Sequence, residues 1–329
     1  QSTEKSAVLG GAENVYCNAE HLYYTFTKYG KFDAEDKIEH KTETTIVKLS
    51  LSGRKIKTEA TGKVEGRPLN QFSMDEYDGN LRIVTTVDKT IIPKKTSSNS
   101  YTYDMAVVGS SKNALYVLDK NLQHLGSIEN LAEGERVYSV RFDGEIGYFV
   151  TFRQVDPLFT VDLSKPTAPK LLSELKIPGF SEYMYPYGDG LLLGFGMEAD
   201  EKTGRTSYLK LSMFNTSNPA DLTEQNKTVI DPFTYSEALY NHKAMLVSVS
   251  KNLIGFPAND NNGNQGYFVY EYTGDGFAKK AALELKVDYK YAYEPNIRGM
   301  FIGDYFYIVN GTALWCFDLD DFSQLALIK

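Results

Sequence analysis

Residues Arg136–Leu163 read RVYSVRFDGEIGYFVTFRQVDPLFTVDL, and Pro169–Ile177 continues with PKLLSELKI. Two runs rich in β-branched and aromatic residues flank Asp143-Gly144-Glu145, a tight-turn tripeptide, which reads as a hairpin. A third apolar run follows a five-residue link, and a fourth, more polar run closes the unit. Every connection is too short for a helical crossover, so the four strands are antiparallel neighbours.

The same order of elements recurs along the chain. Further hairpins are read at Asn14–Tyr29, Leu69–Val87, Ser181–Gly196, Ser236–Ser250 and Asn296–Asn310. Third strands are read at Thr44–Leu51, Ala114–Asp119, Tyr208–Asn215, Gly266–Tyr272 and Ala313–Leu319. Polar fourth strands are read at Lys55–Val64, His124–Ile128, Thr223–Ile230, Phe277–Leu285 and Ser323–Ile328. Six such units in 329 residues give about 55 residues each, the period of a four-stranded propeller blade. A single sheet of this size cannot bury both of its faces. Stacked on neighbours it can, which explains middle strands that are apolar almost throughout. The expected fold is therefore all-β: a β-propeller of six four-stranded blades with negligible helix, occupying the whole chain as one domain. Glu4–Gly10 (EKSAVLG) reads as a lone outer strand and leaves seven blades as the alternative.

Composition narrows the function. Net charge is −8, which argues against a general nucleic-acid or anionic-membrane binder, because either needs a basic footprint. No run of apolar residues is long enough to cross a membrane as a helix. Cys17 and Cys316 form no metal pattern with the scattered His21, His40, His124 and His242, and both are expected to be free thiols. Asp260, Asn262, Asn264 and Glu271 have calcium-loop spacing, but Gln265 stands where that loop requires Gly, so a polar hairpin tip is the better reading. There is no G-x-S-x-G nucleophile elbow, no sialidase Asp-box, and Trp315 is the single tryptophan. No catalytic residue, metal or cofactor is expected.

Several strings are specific enough to suggest kinship: NQFSMDEYDG at Asn70–Gly79, YSVRFDG at Tyr138–Gly144, the stretch Val150–Phe180, YSEALYNHKA at Tyr235–Ala244 and RGMFIGDY at Arg298–Tyr305. Together they resemble a family of secreted bacterial and archaeal β-propeller proteins distantly related to WD-40 repeats. The resemblance spans about residues 9–319. It implies an extracellular or cell-surface location and a longer protein of which this chain is the C-terminal part; it carries no activity across. Met184-Tyr185-Pro186-Tyr187 stands where such proteins often have His before Pro-Tyr, so any role of that imidazole is absent here.

Repeat phasing places the starts of the first strands, and the links between blades, at one end of the fold. Tyr and Arg, the residue types of binding hot spots, are plentiful there. The candidate ligand-binding residues are Arg141, Arg153, Asp156, Tyr183, Glu237 and Arg298. Asp75, Glu182 and Glu237 are the expected partners of Arg141, whose charge on an inner strand must be paired. Lys28–Glu43, Lys89–Lys112, Arg153–Pro157, Glu198–Arg205 and Pro257–Gln265 are read as loops at the same end. The expected function is a non-enzymatic, monomeric binding module for a protein or cell-wall glycan. A carboxylate-based polysaccharide hydrolase or lyase is the alternative, since two acids distant in sequence can meet at a propeller centre.

Overall fold

The computed structural model describes residues 11–33, 37–53, 55–93, 107–108, 111–152, 156–188, 190–200, 202–260, 262, 265–285, 296–311 and 313–329. The protein is a β-propeller of six sheets, each built on four antiparallel strands. The expected strand at Glu4–Gly10 lies outside the described residues, as do Arg153 and Asn264.

Blade 1 comprises β1 (Asn14–Cys17), β2 (His21–Asp33), β3 (Lys37–Ser52) and β4 (Lys55–Glu65). Blade 2 opens with β5 (Met74–Tyr77) and β6 (Asn80–Val87). Two short strands then leave it, β7 (Lys89–Pro93) and β8 (Val107–Val108), before β9 (Lys112–Leu118) and β10 (His124–Leu131) complete the blade. Blade 3 is β11 (Arg136–Asp143), β12 (Ile146–Phe152), β13 (Asp156–Asp162) and β14 (Lys170–Ile177). Blade 4 is β15 (Phe180–Gly188), β16 (Leu191–Ala199), β17 (Thr206–Asn215) and β18 (Thr223–Ile230). Blade 5 has a divided first strand, β19 (Phe233–Tyr235) and β20 (Leu246–Ser248), followed by β21 (Leu253–Asp260), β22 (Gln265–Tyr272) and β23 (Phe277–Glu284). Blade 6 is β24 (Arg298–Ile302), β25 (Tyr305–Val309), β26 (Leu314–Asp318) and β27 (Gln324–Ile328).

Local chemistry accounts for the turns and the burial pattern. The β5–β6 turn has positive φ at both Asp78 (49°) and Gly79 (74°), the primed geometry that matches strand twist, which Asp-Gly adopts readily. Middle strands such as β6 and β9 are buried almost throughout, whereas the outer strand β18 alternates between exposed and partly buried residues.

The chain forms two compact units, residues 1–153 with 157–174, and residues 154–156 with 175–329. In the first, Ile46, Met74, Leu81, Ile83 and Tyr116 fill the space between blades 1 and 2, and Val84, Leu115, Val140, Phe149 and Val161 that between blades 2 and 3. In the second, Tyr267, Val269, Phe306, Ile308, Trp315 and Phe317 join blades 5 and 6. Phe195 of blade 4 packs on Phe256 of blade 5 at 4.7 Å between ring centroids.

Three sequence expectations are corrected. Lys28–Glu43 is not a loop: β2 and β3 run on past the blade and pair from His21↔Ser50 to Asp33↔Ile38. Lys89–Lys112 is not simply a surface loop: β7 pairs with β3 (Lys41↔Lys89 to Lys37↔Pro93) and with β8, so part of blade 2's connection completes the sheet of blade 1. Ser236–Ser250 is not a hairpin. Two 3-10 turns, Glu237–Leu239 and His242–Ala244, divide the first strand of blade 5. Its second strand lies further on, at Leu253–Asp260, taking in residues expected to be loop. Ser236 and Asn241 cap these turns, each side-chain oxygen accepting a backbone N–H two residues ahead. Capping residues spaced five apart favour local helical turns over a hairpin.

Candidate functional site

In the first unit, Arg141 sits on β11 opposite Tyr148. Its guanidinium lies 4.1 Å from the ring centroid of Phe72, in a third 3-10 turn, Gln71–Ser73, that precedes β5. Arg141, Phe72, Gln71, Tyr16 and Asp75 line an open cavity of about 300 Å³. Asp75 is held by a different arginine from the expected one. Arg82 on β6 ion-pairs with Asp75, donates to the carbonyl of Gly144 at 2.5 Å, and lies 4.9 Å from Tyr77 and 4.8 Å from Phe142. Tyr16 Oη donates to Asp75 at 3.4 Å and accepts the Glu76 backbone N–H at 3.1 Å. The sequence signal for Arg82 was an arginine inside the apolar run Leu81–Val87: a charge so placed must have an acid at hand.

Beside this group, His21 Nδ1 is 2.9 Å from Glu76 Oε2 and Nε2 is 3.5 Å from Glu59. Asn18 Nδ2 donates to the same Glu76 oxygen at 2.7 Å. Buried Lys48 lies 3.7 Å from Glu59. The acids of this region are therefore committed to neighbours.

In the second unit, Glu237 and Arg298 meet in a two-pronged pair. Arg298 Nη1 donates to Glu237 Oε2 at 2.8 Å and Nη2 to Oε1 at 2.7 Å, while Asn241 Nδ2 donates to Oε1 at 2.6 Å. Arg298 Nη1 also donates to the Ile297 carbonyl at 2.7 Å. The Glu237–Leu239 turn packs against β15, and the His242–Ala244 turn against β24, so the insertion in blade 5 touches both neighbouring first strands. Tyr235 and Tyr240, both exposed, share a hydroxyl–hydroxyl hydrogen bond of 2.6 Å.

Tyr183 lies on β15, its ring 6.4 Å from that of Tyr185. The residue before it, Glu182, occupies a β-bulge. Ser181 pairs with Gly196 and Tyr183 with Phe195, which leaves Glu182 as the extra residue. A bulge breaks strand alternation and re-aims side chains; here Glu182 and Tyr183 are adjacent and half-buried between buried Ser181 and Met184. Gly196 is what permits it, since a Cβ there would come within 1.8 Å of the Phe180 carbonyl oxygen. Glu182 has no hydrogen-bond or ion-pair partner among the described residues. Burial alone pushes its carboxyl up to about 7. Sequence reading placed Glu182 near the first strands but assigned it to Arg141, because a bulge leaves no mark in a hydropathy pattern.

Of the expected site residues, Glu237 and Arg298 are brought together, and Tyr183 lies on the strand against which the Glu237 turn packs. Arg141 lines the cavity of the first unit. Asp156 begins β13. Of the residues with calcium-loop spacing, Asp260 Oδ1 accepts the Asn262 N–H at 2.8 Å and Glu271 lies 3.4 Å from Lys280, while Asn264 lies outside the described residues. No cluster of acids, histidines or cysteines able to hold a metal occurs among the described residues, and both cysteines are free thiols.

A six-blade propeller with Arg, Tyr and acid groups at its first strands defines the class, and comparison with known proteins gives the family. Residues 1–322 match the model of the Beta propeller domain, and the chain belongs to that family. It is 34% identical over 317 residues to an uncharacterised protein of Archaeoglobus fulgidus, covering 96% of this chain and 42% of that protein. It is 36% identical over 215 residues to an uncharacterised protein of Methanocaldococcus jannaschii, covering 65% of this chain and 30% of the other. The chain thus spans less than half the length of these relatives. Among solved structures, the periplasmic gluconolactonase of Pseudomonas aeruginosa aligns at a TM-score of 0.48 and 11% identity, covering 99% of this chain and 86% of that one. The C-terminal WD40 domain of Sif2 aligns at 0.43 and 9%, covering 97% and 76%.

Proposed function

We propose that this chain is a non-enzymatic binding module that works outside the cytoplasm and recognises a protein or cell-wall glycan through the first-strand ends of its blades. The observation that carries the reading is the pairing of the acids. A carboxylate-based hydrolase needs two available carboxyls flanking the scissile bond, roughly 5–10 Å apart. Asp75 is bound to Arg82, Glu76 to His21 and Asn18, and Glu237 to Arg298 and Asn241. Of these described acids, none is left available to act beside Glu182. Tyr183, Tyr185, Tyr235 and Tyr240 meanwhile supply rigid, amphipathic contact area of the kind recognition surfaces use.

The reading is tested by screening the chain against arrays of peptides and cell-wall glycan fragments. Specific binding is expected, weakened at least fivefold by Tyr183→Ala or Arg153→Ala with little change in melting temperature. An array on which no ligand class binds would overturn the reading. Turnover of a polysaccharide that Glu182→Gln abolishes would replace it with the hydrolase.

A further inference from the structure

A half-buried carboxyl with no donor around it is an unfinished interaction. Among the described residues Glu182 is such a group, and its surroundings narrow what completes it. On β16, the residues flanking the bulge are Gly196 and Phe195, which offer no side-chain hydrogen bond. Glu198, further along β16, is tied to Lys227 at 2.8 Å and lies 3.5 Å from Lys210. From the turn packed against β15, Glu237 carries charge, but it is neutralised by Arg298. On β15 itself, Tyr183 follows Glu182 directly, and its ring lies 6.4 Å from that of Tyr185. Burial raises the Glu182 carboxyl, and among the described residues no charged side chain offsets that.

Resting on the binding-module reading, we propose that the Glu182 bulge is the recognition point for a cationic side chain, the ammonium of Lys or the guanidinium of Arg, on a basic segment of a partner protein. An incoming cation supplies the charge-assisted hydrogen bond the carboxylate lacks. The neighbouring Tyr183 adds an aromatic side chain of the kind that suits the same cation. The chain's net charge of −8 favours the approach of a basic partner. A neutral hydroxyl ligand would meet the protonated acid instead, which gives the two cases opposite pH dependence.

The experiment is isothermal titration of the chain with hexalysine and hexaarginine, with hexa(acetyllysine) and hexacitrulline as uncharged twins and a glucosamine hexamer as the carbohydrate ammonium. Binding of the basic peptides is expected to tighten about tenfold from pH 6 to pH 8, as the Glu182 carboxyl ionises. It should release about half a proton at pH 7 and fall at least fivefold in Glu182→Gln. The uncharged twins should not bind. Asp275→Asn, an exposed acid of the same unit, controls for general attraction and should change affinity less than twofold. A thermal melt of Glu182→Gln checks that it is folded. Hexalysine binding that is indifferent to Glu182→Gln or to pH would overturn the assignment while leaving the binding-module reading to the array. So would binding of the glucosamine hexamer with the peptides inert. An array blank for every ligand class overturns both.

Discussion

Arg298→Ala is expected to destabilise the fold rather than merely weaken a surface. The side chains of Arg298 and Glu237 are 22% and 13% exposed, so the pair lies closer to the buried limit than to the surface one. Removing one member of a buried pair costs roughly 3–5 kcal/mol, whereas an exposed pair is worth at most about 1 kcal/mol. The remaining exposure screens part of the charge, and Asn241 still donates to the stranded Glu237. The expected loss is therefore about 2–3 kcal/mol, including the bond from Arg298 to the Ile297 carbonyl. Arg298→Lys should recover less than half, because one ammonium cannot reproduce two parallel bonds to Oε1 and Oε2. Urea denaturation at pH 7, followed by fluorescence of buried Trp315 in the adjoining core, gives the free energies. A double-mutant cycle with Glu237→Gln should yield a coupling of about 2 kcal/mol. A coupling below about 0.5 kcal/mol, or Arg298→Lys indistinguishable from the parent, would refute a structural role for the pair.

Glu182 titrates in the opposite sense to a salt-bridged acid. Its carboxyl is raised from the ordinary 4.5 to about 7, so below 4.5 both folded and unfolded chains hold the proton and stability is unaffected. Between those values the unfolded chain releases it first, and stability falls with rising pH until the full penalty stands above 7. Glu182→Gln should thus be near neutral at pH 4 and stabilising by about 2–3 kcal/mol at pH 8, read from urea midpoints; a pH-independent effect would refute it. Gly196→Ala should lose roughly 3 kcal/mol, at the upper end for overpacking, because the obstructing atom is a backbone oxygen; a melting temperature unchanged by it would contradict the bulge. Arg82→Ala should cost about 3 kcal/mol by stranding Asp75, measured in the same denaturation assay. Thiol titration should find two thiols in the denatured, unreduced protein, with exposed Cys17 reacting before Cys316 in the native state.

The strands were legible because their signals are local. Alternating outer strands, apolar middle strands and Asp-Gly turns recur often enough that β14 and β18 fall within a residue of where the pattern places them. What escaped was non-local or competitive. β7 belongs by sequence to blade 2, and only the three-dimensional register assigns it to β3. In blade 5, Ala238, Leu239 and Ala244 resemble strand residues, and the caps at Ser236 and Asn241 outweighed them. Glu237 and Arg298 were both marked as site residues, but nothing in either segment says that they bind each other. Arg82 was legible as a charge inside an apolar run, but the run does not say which acid it meets.

The passage of β7 from blade 2 onto β3 bears on how the propeller comes apart. In a plain propeller each blade is a contiguous hairpin pair and can fray by itself. Here blade 1 cannot shed its extended hairpin without releasing the segment that follows β6, and β6 lies at the heart of blade 2. The two blades are thereby buckled into one cooperative block. Amide exchange along Lys37–Lys41 and Lys89–Pro93 should follow a common opening free energy, and a nick in the β7–β8 connection should loosen two blades at once.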